Sequence, residues 1–168
     1  MGIEVMKPIK VVFGRYGGGK PIVLDAGMYV YLGSARNKAL GSRLLRHMRR
    51  SGEKRGHDIE GVLREKLREA GLLGMERPGK EKRLHWHVDH LLDREEAVVW
   101  LAAAVRTEER LEVALGEWLM GMGETTAFAP GLGASDVRRN THLMRVDAGP
   151  DWWEGLPERM KERFADTI

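Results

Sequence analysis

The chain has no cysteine, which excludes disulfides, cysteine-ligated zinc and thiol nucleophiles together. It has no run near the roughly 18 uninterrupted apolar residues that a membrane-spanning helix needs, and it opens without an apolar signal run. We therefore expect a soluble, cytoplasmic protein. Tyrosines are few, three in 168 residues, yet two of them fall two positions apart in the stretch GMYVYLGSA, residues 27–35. What is present in quantity is apolar content, 42%, enough for one domain, with or without an appendage, to bury a core. The net charge is only +3, but it is unevenly spread: Arg36 to Arg55 holds eight Lys or Arg against the single acid Glu53. Such a block is a solvated face or the electrostatic footprint of a polyanion partner.

The order of elements is mixed. Ile9 to Phe13, Pro21 to Leu24 and Met28 to Gly33 read as an N-terminal strand region, with a glycine turn at Arg15 to Lys20. From Leu40 to Arg50 the apolar residues Leu40, Leu44, Leu45 and Met48 recur at helical spacing and leave Arg43, His47 and Arg50 on another face. A second helix is expected from Asp58, as N-cap, to Ala70, followed by a charged linker over 76–83. Ala97 to Val105 reads as a central strand, Thr107 as the cap of a helix striped by Leu111, Leu115, Trp118, Leu119 and Met122, His142 to Val146 as a last strand, and Pro157 as the start of a short C-terminal helix.

Two groups of residues could carry chemistry. Strand side chains alternate, so Tyr29 and Tyr31 share one face while Met28, Val30 and Leu32 take the other. Two rings on one face cover half-buried sheet or line a site. The second group, HWHVDH at residues 85–90, spells the H-x-H-x-D-H pattern in which imidazoles and a carboxylate bind zinc, and a zinc hydrolase is one alternative. The pattern here follows a charged run and leads straight into Leu91 and Leu92. A helix start, with Trp86 packed inward and His87 one turn from Leu91, is the reading we prefer.

Taken in order, GMYVYLGSA, SRLLRH (42–47), HWHVDHLL (85–92) and GLGASDVRRNTHL (131–143) resemble the GIY-YIG nuclease superfamily, and in particular its Uri-type prokaryotic branch. The resemblance spans about Ile9 to Val146. It implies an α+β fold, a small three-stranded antiparallel sheet flanked by helices, in a nuclease domain over 1–147 with a helical insertion at 51–83 and a helical tail at 148–168. It implies Tyr31 as the reaction tyrosine, Tyr29 shaping the site beside it, Arg43 on the phosphate, His47 one turn on, and Glu112 as the ligand of Mg²⁺ or Mn²⁺. Glu112, beside the apolar stripe, is oddly placed for a merely solvated acid. Arg46, Arg49, Arg50, Lys54 and Arg55 are the expected nucleic-acid contacts, and His85, His87 and His142 could face substrate. Where the superfamily carries its first tyrosine, this chain has Gly2, Ile3 and Glu4.

The expected activity is metal-dependent endonucleolytic hydrolysis of phosphodiester bonds, with DNA ahead of RNA as partner. Such hydrolysis needs an activated water, a cation at the non-bridging oxygens and relief of charge on the leaving oxygen. A lone carboxylate suffices for a hard cation that keeps its waters. A phenol with a free pKa near ~10 is a poor base unless a cation lowers it, and Arg43 and the metal are the expected neighbours. The alternative from the same residues is a protein that binds nucleic acid without cutting it.

Overall fold

The computed structural model describes residues 1–35, 39–73, 81–107, 109–129, 131–132 and 142–165. Seven strands and five α-helices alternate along them: β1 (Gly2–Val5), β2 (Ile9–Val11), β3 (Ile22–Leu24), β4 (Gly27–Tyr31), α1 (Leu40–Met48), α2 (Glu60–Glu69), α3 (His87–Leu92), β5 (Ala97–Leu101), α4 (Glu112–Met120), β6 (Thr125–Ala127), β7 (Leu143–Val146) and α5 (Pro150–Arg163). The class is α+β. The main sheet has five antiparallel strands in the order β5-β1-β4-β7-β6, rather than three, and β2 with β3 forms a separate two-stranded ribbon.

β4 lies at the centre of that sheet, so its alternation sorts the core into two layers. Tyr29 and Tyr31 face the cluster that contains Ile3, Val5 and Val99 of the sheet, Leu44, Leu45 and Met48 of α1, Leu63 and Leu67 of α2, and Val88, Leu91 and Leu92 of α3. Val30 and Leu32 face the other cluster, with Met144 and Val146 of β7, Leu119 of α4, and Trp152, Trp153 and Leu156 of α5. Helices thus cover both sides of the sheet. Each fully buried Leu or Val contributes on the order of 1.5–3 kcal/mol, so a strand that is buried on both faces fixes its own register.

α1 sits where its apolar stripe dictates, and one glycine lets it approach the segment that follows α2. A Cβ on Gly41 would lie 2.2 Å from the carbonyl oxygen of Leu72, so only glycine fits there. The connection between α1 and α2 is pinned by His57, 3% exposed, which accepts from the Val99 N–H at Nδ1 (3.1 Å) and donates from Nε2 to the Leu92 carbonyl (3.1 Å).

Several boundaries differ from the sequence-based expectation. The Ala97 strand is at the sheet edge, not its centre, because β1 intervenes between it and β4. α2 starts at Glu60, and Asp58 pairs with Arg55 instead of capping it. Thr107 accepts the Glu109 N–H at 3.1 Å, but α4 begins only at Glu112. The last helix starts at Pro150, whose fixed φ suits a first turn, and Pro157 lies inside it. Trp86 is not packed inward: it is 39% exposed, and Val88, Leu91 and Leu92 fill the core in its place. Residues 74–80, which hold most of the charged linker, and 133–141, which hold the middle of the GLGASDVRRNTHL stretch, lie outside the described residues, as do Arg36, Lys38 and Glu108.

Candidate active site

Tyr31 ends the central strand and is 7% exposed. Its phenol lies over the residues that follow it: a Cβ on Gly33 would stand 3.1 Å from Tyr31 Cε1 and 3.3 Å from its hydroxyl. The glycine two residues after the tyrosine is thus the space in which the ring lies. Two imidazoles approach that ring edge-to-face, His47 of α1 at 6.1 Å between centroids and His142 just before β7 at 6.5 Å. Burial pushes the Tyr31 phenol above its ordinary pKa, and the charge and hydrogen bond of Arg43 offset this only in part. The expectation that cationic neighbours would lower it does not hold for the protein alone, because desolvation outweighs the one guanidinium beside it.

Arg43 projects from α1 with its guanidinium carbon 4.0 Å from the centre of the Trp86 ring. Such stacking preorganises a planar cation for an anionic oxygen without neutralising it. Glu112 opens α4 and reaches the same cluster: His142 Nδ1 is 3.3 Å from its Oε1, and the Ser34 hydroxyl donates to its Oε2. Its carboxylate is partly open, 26% exposed, with hydroxyl and carboxylate oxygens side by side, the hard donors that Mg²⁺ or Mn²⁺ takes. Among the described residues no group of three or more His, Asp or Glu is arranged to hold a metal ion; the oxygen donors that the cluster presents side by side are those of Glu112 and Ser34.

His47 is held from behind. Its Nδ1 is 3.1 Å from Oδ1 of Asp89, a fully buried carboxylate that also receives both Arg46 terminal nitrogens (3.1 and 2.8 Å) and the backbone N–H groups of His85 and Trp86 (2.9 Å each). Burial alone would raise the Asp89 pKa, but these donors outweigh it and hold the carboxyl well below its usual range. Burial lowers the His47 pKa, and its bond to Asp89 offsets only part of that, so the ring is neutral at pH 7.

The structure brings together Tyr31, Arg43, His47, Glu112 and His142, five residues from four separate parts of the sequence. It does not bring the others to that point. Tyr29 shares the face, but its hydroxyl donates to the Asp25 carbonyl (3.0 Å) and its ring packs on Phe128. His87 meets Tyr16, and His85 stands edge-on to Trp86. Asp89 of HWHVDH has its oxygens filled by arginine, histidine and amide donors, which makes it a helix-start anchor rather than a cation ligand. Of the basic set, Arg46 is tied to Asp89, and Arg50 donates to the carbonyls of Leu92, Arg55 and Ala97. Arg49, Lys54 and Arg55 remain at the surface in pairs with Glu60, Asp93 and Asp58.

Over residues 1–164 the chain matches the family described as Domain of unknown function DUF123. The chain belongs to that family. No curated protein and no solved structure matches it. The span of the DUF123 match takes in every residue of the cluster, from Tyr31 to His142, and also α5, whose Trp152, Trp153 and Leu156 complete the second core layer. Ser34, Trp86 and Asp89 are the residues that sequence reasoning missed. For Asp89 a signal was available: an acid three residues into a helix is placed to accept the amides of the first turn. For Ser34 and Trp86 the partners lie 78 and 43 residues away, and no local pattern marks them.

Proposed function

We propose that this DUF123 chain is a metal-dependent nuclease of the GIY-YIG kind, hydrolysing phosphodiester bonds in nucleic acid, DNA ahead of RNA. The observation that carries the reading is the convergence of Tyr31, Arg43, His47, Glu112 and His142 on one phenol at the end of the central strand. In this reading Arg43, braced on Trp86, takes a non-bridging phosphate oxygen with its planar fork. Tyr31 stands where the attacking water would be held, and its hydroxyl would take the water's proton while giving up the phenolic proton to a neighbouring imidazole as the phosphorus–oxygen bond forms. His142 orients Glu112 through its Nδ1. A cation bound at Glu112 would supply charge neutralisation at the phosphate.

A second reading, binding without hydrolysis, is favoured by one observation. β1 is the strand beside β4, pairing Ile3 with Tyr29, and it carries Gly2, Ile3 and Glu4 with no tyrosine. The two readings divide on whether the parent cuts, and the metal role is tested by Glu112→Gln, which keeps the shape and removes the charge that a hard cation needs. With a panel of labelled single-stranded, duplex, flap and branched DNA and RNA in Mg²⁺ or Mn²⁺, the parent should cut at least one substrate, and the variant should bind that substrate as tightly while cutting it ~10²-fold slower or worse. Equal cutting by Glu112→Gln would remove the metal role from this residue.

A further inference from the structure

Of the HWHVDH motif only Trp86 has a part in the reaction proposed above, yet its aspartate is the most heavily engaged carboxylate in the site region. Asp89 is fully buried and accepts from His47 Nδ1, two Arg46 nitrogens and two backbone amides, with Lys82 Nζ a further 3.7 Å from Oδ1. An ionised carboxylate is an acceptor only, so the proton on the Asp89–His47 bond belongs to His47 Nδ1. The other ring nitrogen, Nε2, then carries a lone pair. It is buried, and among the described residues it has no hydrogen-bond partner. An unsatisfied buried acceptor costs on the order of 1–3 kcal/mol, and a fold that keeps one in the site region has a use for it.

The geometry points to Asp89 as a positioning residue that locks His47 in the Nδ1–H tautomer, leaving its Nε2 lone pair as the final acceptor of the proton that the attacking water gives up through Tyr31. This rests on the nuclease reading above. In the step, the water oxygen bonds to phosphorus, the bond to the leaving oxygen breaks and its electron pair stays on that oxygen, which takes a proton from solvent. One water proton passes to the Tyr31 oxygen as the phenolic proton passes to His47 Nε2. The His47 and Tyr31 rings stand edge-to-face with centroids 6.1 Å apart, so the transfer requires a side-chain shift or one intervening water. The buried phenol is thereby spared from existing as a free phenolate. The groups facing His47 are Asp89 of α3, Lys82 of the preceding segment, Arg43 and Arg46 of its own helix, and Tyr31 of β4. Asp89 alone among them is anionic, so it balances the imidazolium that forms.

The test uses the full-length chain with ¹⁵N-labelled histidine, and Asp89→Asn, whose side-chain amide would donate to Nδ1 and move the ring hydrogen to Nε2. In the parent, NMR should place the His47 hydrogen on Nδ1 at pH 7, and the acid limb of the single-turnover cleavage rate should follow the His47 titration. In Asp89→Asn the tautomer should invert and the rate should fall on the order of 10²–10⁴-fold, with substrate affinity within about threefold of the parent. Arg46 and Lys82 lose their counter-charge in that variant. If it fails to fold, the parent spectrum and the parent pH–rate profile decide, and an Nε2–H ring or a rate indifferent to His47 titration overturns the inference. A folded Asp89→Asn that cuts as fast as the parent overturns the positioning role while leaving the nuclease reading intact. A parent with the Nδ1–H tautomer that cuts nothing in the panel overturns both, because the lone pair then has no proton to receive.

Discussion

Two histidines in this chain are buried and neutral, and they differ in what their second nitrogen does. His57 uses both, one accepting from Val99 and one donating to Leu92, whereas His47, among the described residues, uses only the nitrogen facing Asp89. The first is architecture, and the second leaves one nitrogen unpaired among the described residues, on a ring that stands edge-to-face with Tyr31. Burial, joined by the charge of Arg50, lowers the His57 pKa to about 4, against 6.5 for a free side chain. Between those values the unfolded chain binds the proton and the folded chain does not, so stability should fall as pH drops from about 6.5 to about 4 and level off below that, by about 3 kcal/mol from this residue at most. His47 adds to the same slope, since burial lowers its pKa too. Asp89, held low by its donors, adds to acid sensitivity only below the ordinary carboxylate range. Urea midpoints measured at pH 7, 5.5 and 4.5 check this. A flat series would mean that His57 does not stay neutral within the fold.

At the scale of elements, α1 does most to build the site, because one helix supplies Arg43 and His47 and its seating against α2 and the residues after it sets where they point. That seating depends on Gly41. Alanine in a helix interior ordinarily gains about 0.5–1 kcal/mol over glycine, but a methyl 2.2 Å from the Leu72 carbonyl oxygen and 2.9 Å from Leu73 Cδ2 forces the two segments apart. Gly41→Ala should therefore destabilise by about 1–3 kcal/mol. Gly61→Ala in α2, where a Cβ meets nothing within 4 Å, should stabilise by about 0.5–1 kcal/mol. Chemical denaturation of both variants reads the contrast, and equal midpoints would mean that α1 and the end of α2 are not so closely seated.

The elements legible in the sequence are those whose pattern their burial enforces. β4 reads as a continuous apolar run because it is covered on both faces, and α1 shows a stripe because one face is core. β1 is not legible as a strand because Gly2 and Glu4 interrupt its pattern and only Ile3 and Val5 carry it. β5 looks central because Ala97, Val98, Val99, Trp100 and Leu101 are all apolar, yet the outer part of this run covers Trp153 at an edge. The site divides in the same way. Tyr31, Arg43 and His47 are marked in the sequence by the resemblance to the GIY-YIG motifs, while the pairings of Asp89 and Ser34 depend on chain closure over 42 and 78 residues.

On the scale of the whole molecule, the described residues Arg46, Arg49, Arg50, Lys54 and Arg55 of the basic block fall into two sets. Arg46 and Arg50 are tied to Asp89 and to the carbonyls of Leu92, Arg55 and Ala97, although Arg50 also lines, with Arg49 and Lys54, a surface cavity of about 230 Å³; Arg49 and Lys54 pair with Glu60 and Asp93 at the surface, and Arg55 is open to solvent. If the surface set tracks phosphates, log affinity for nucleic acid should fall linearly with log salt, and replacing Arg49, Lys54 and Arg55 with Gln should flatten the slope by roughly one unit for each phosphate no longer neutralised. Arg46→Gln and Arg50→Gln should lower thermal stability with little change in slope. A parent slope near zero would take nucleic acid out of consideration.

Whether the assembled molecule cuts is settled most directly by single-turnover cleavage with the parent and Tyr31→Phe, on whichever substrate of the DNA and RNA panel the parent cuts in Mg²⁺ or Mn²⁺. The substitution removes one hydroxyl and leaves the ring to pack between His47 and His142, so thermal unfolding and substrate affinity should stay close to those of the parent. The rate should fall on the order of 10²-fold or more. A Tyr31→Phe protein that cuts as fast as the parent would make Tyr31 core filling and contradict the site proposed around it.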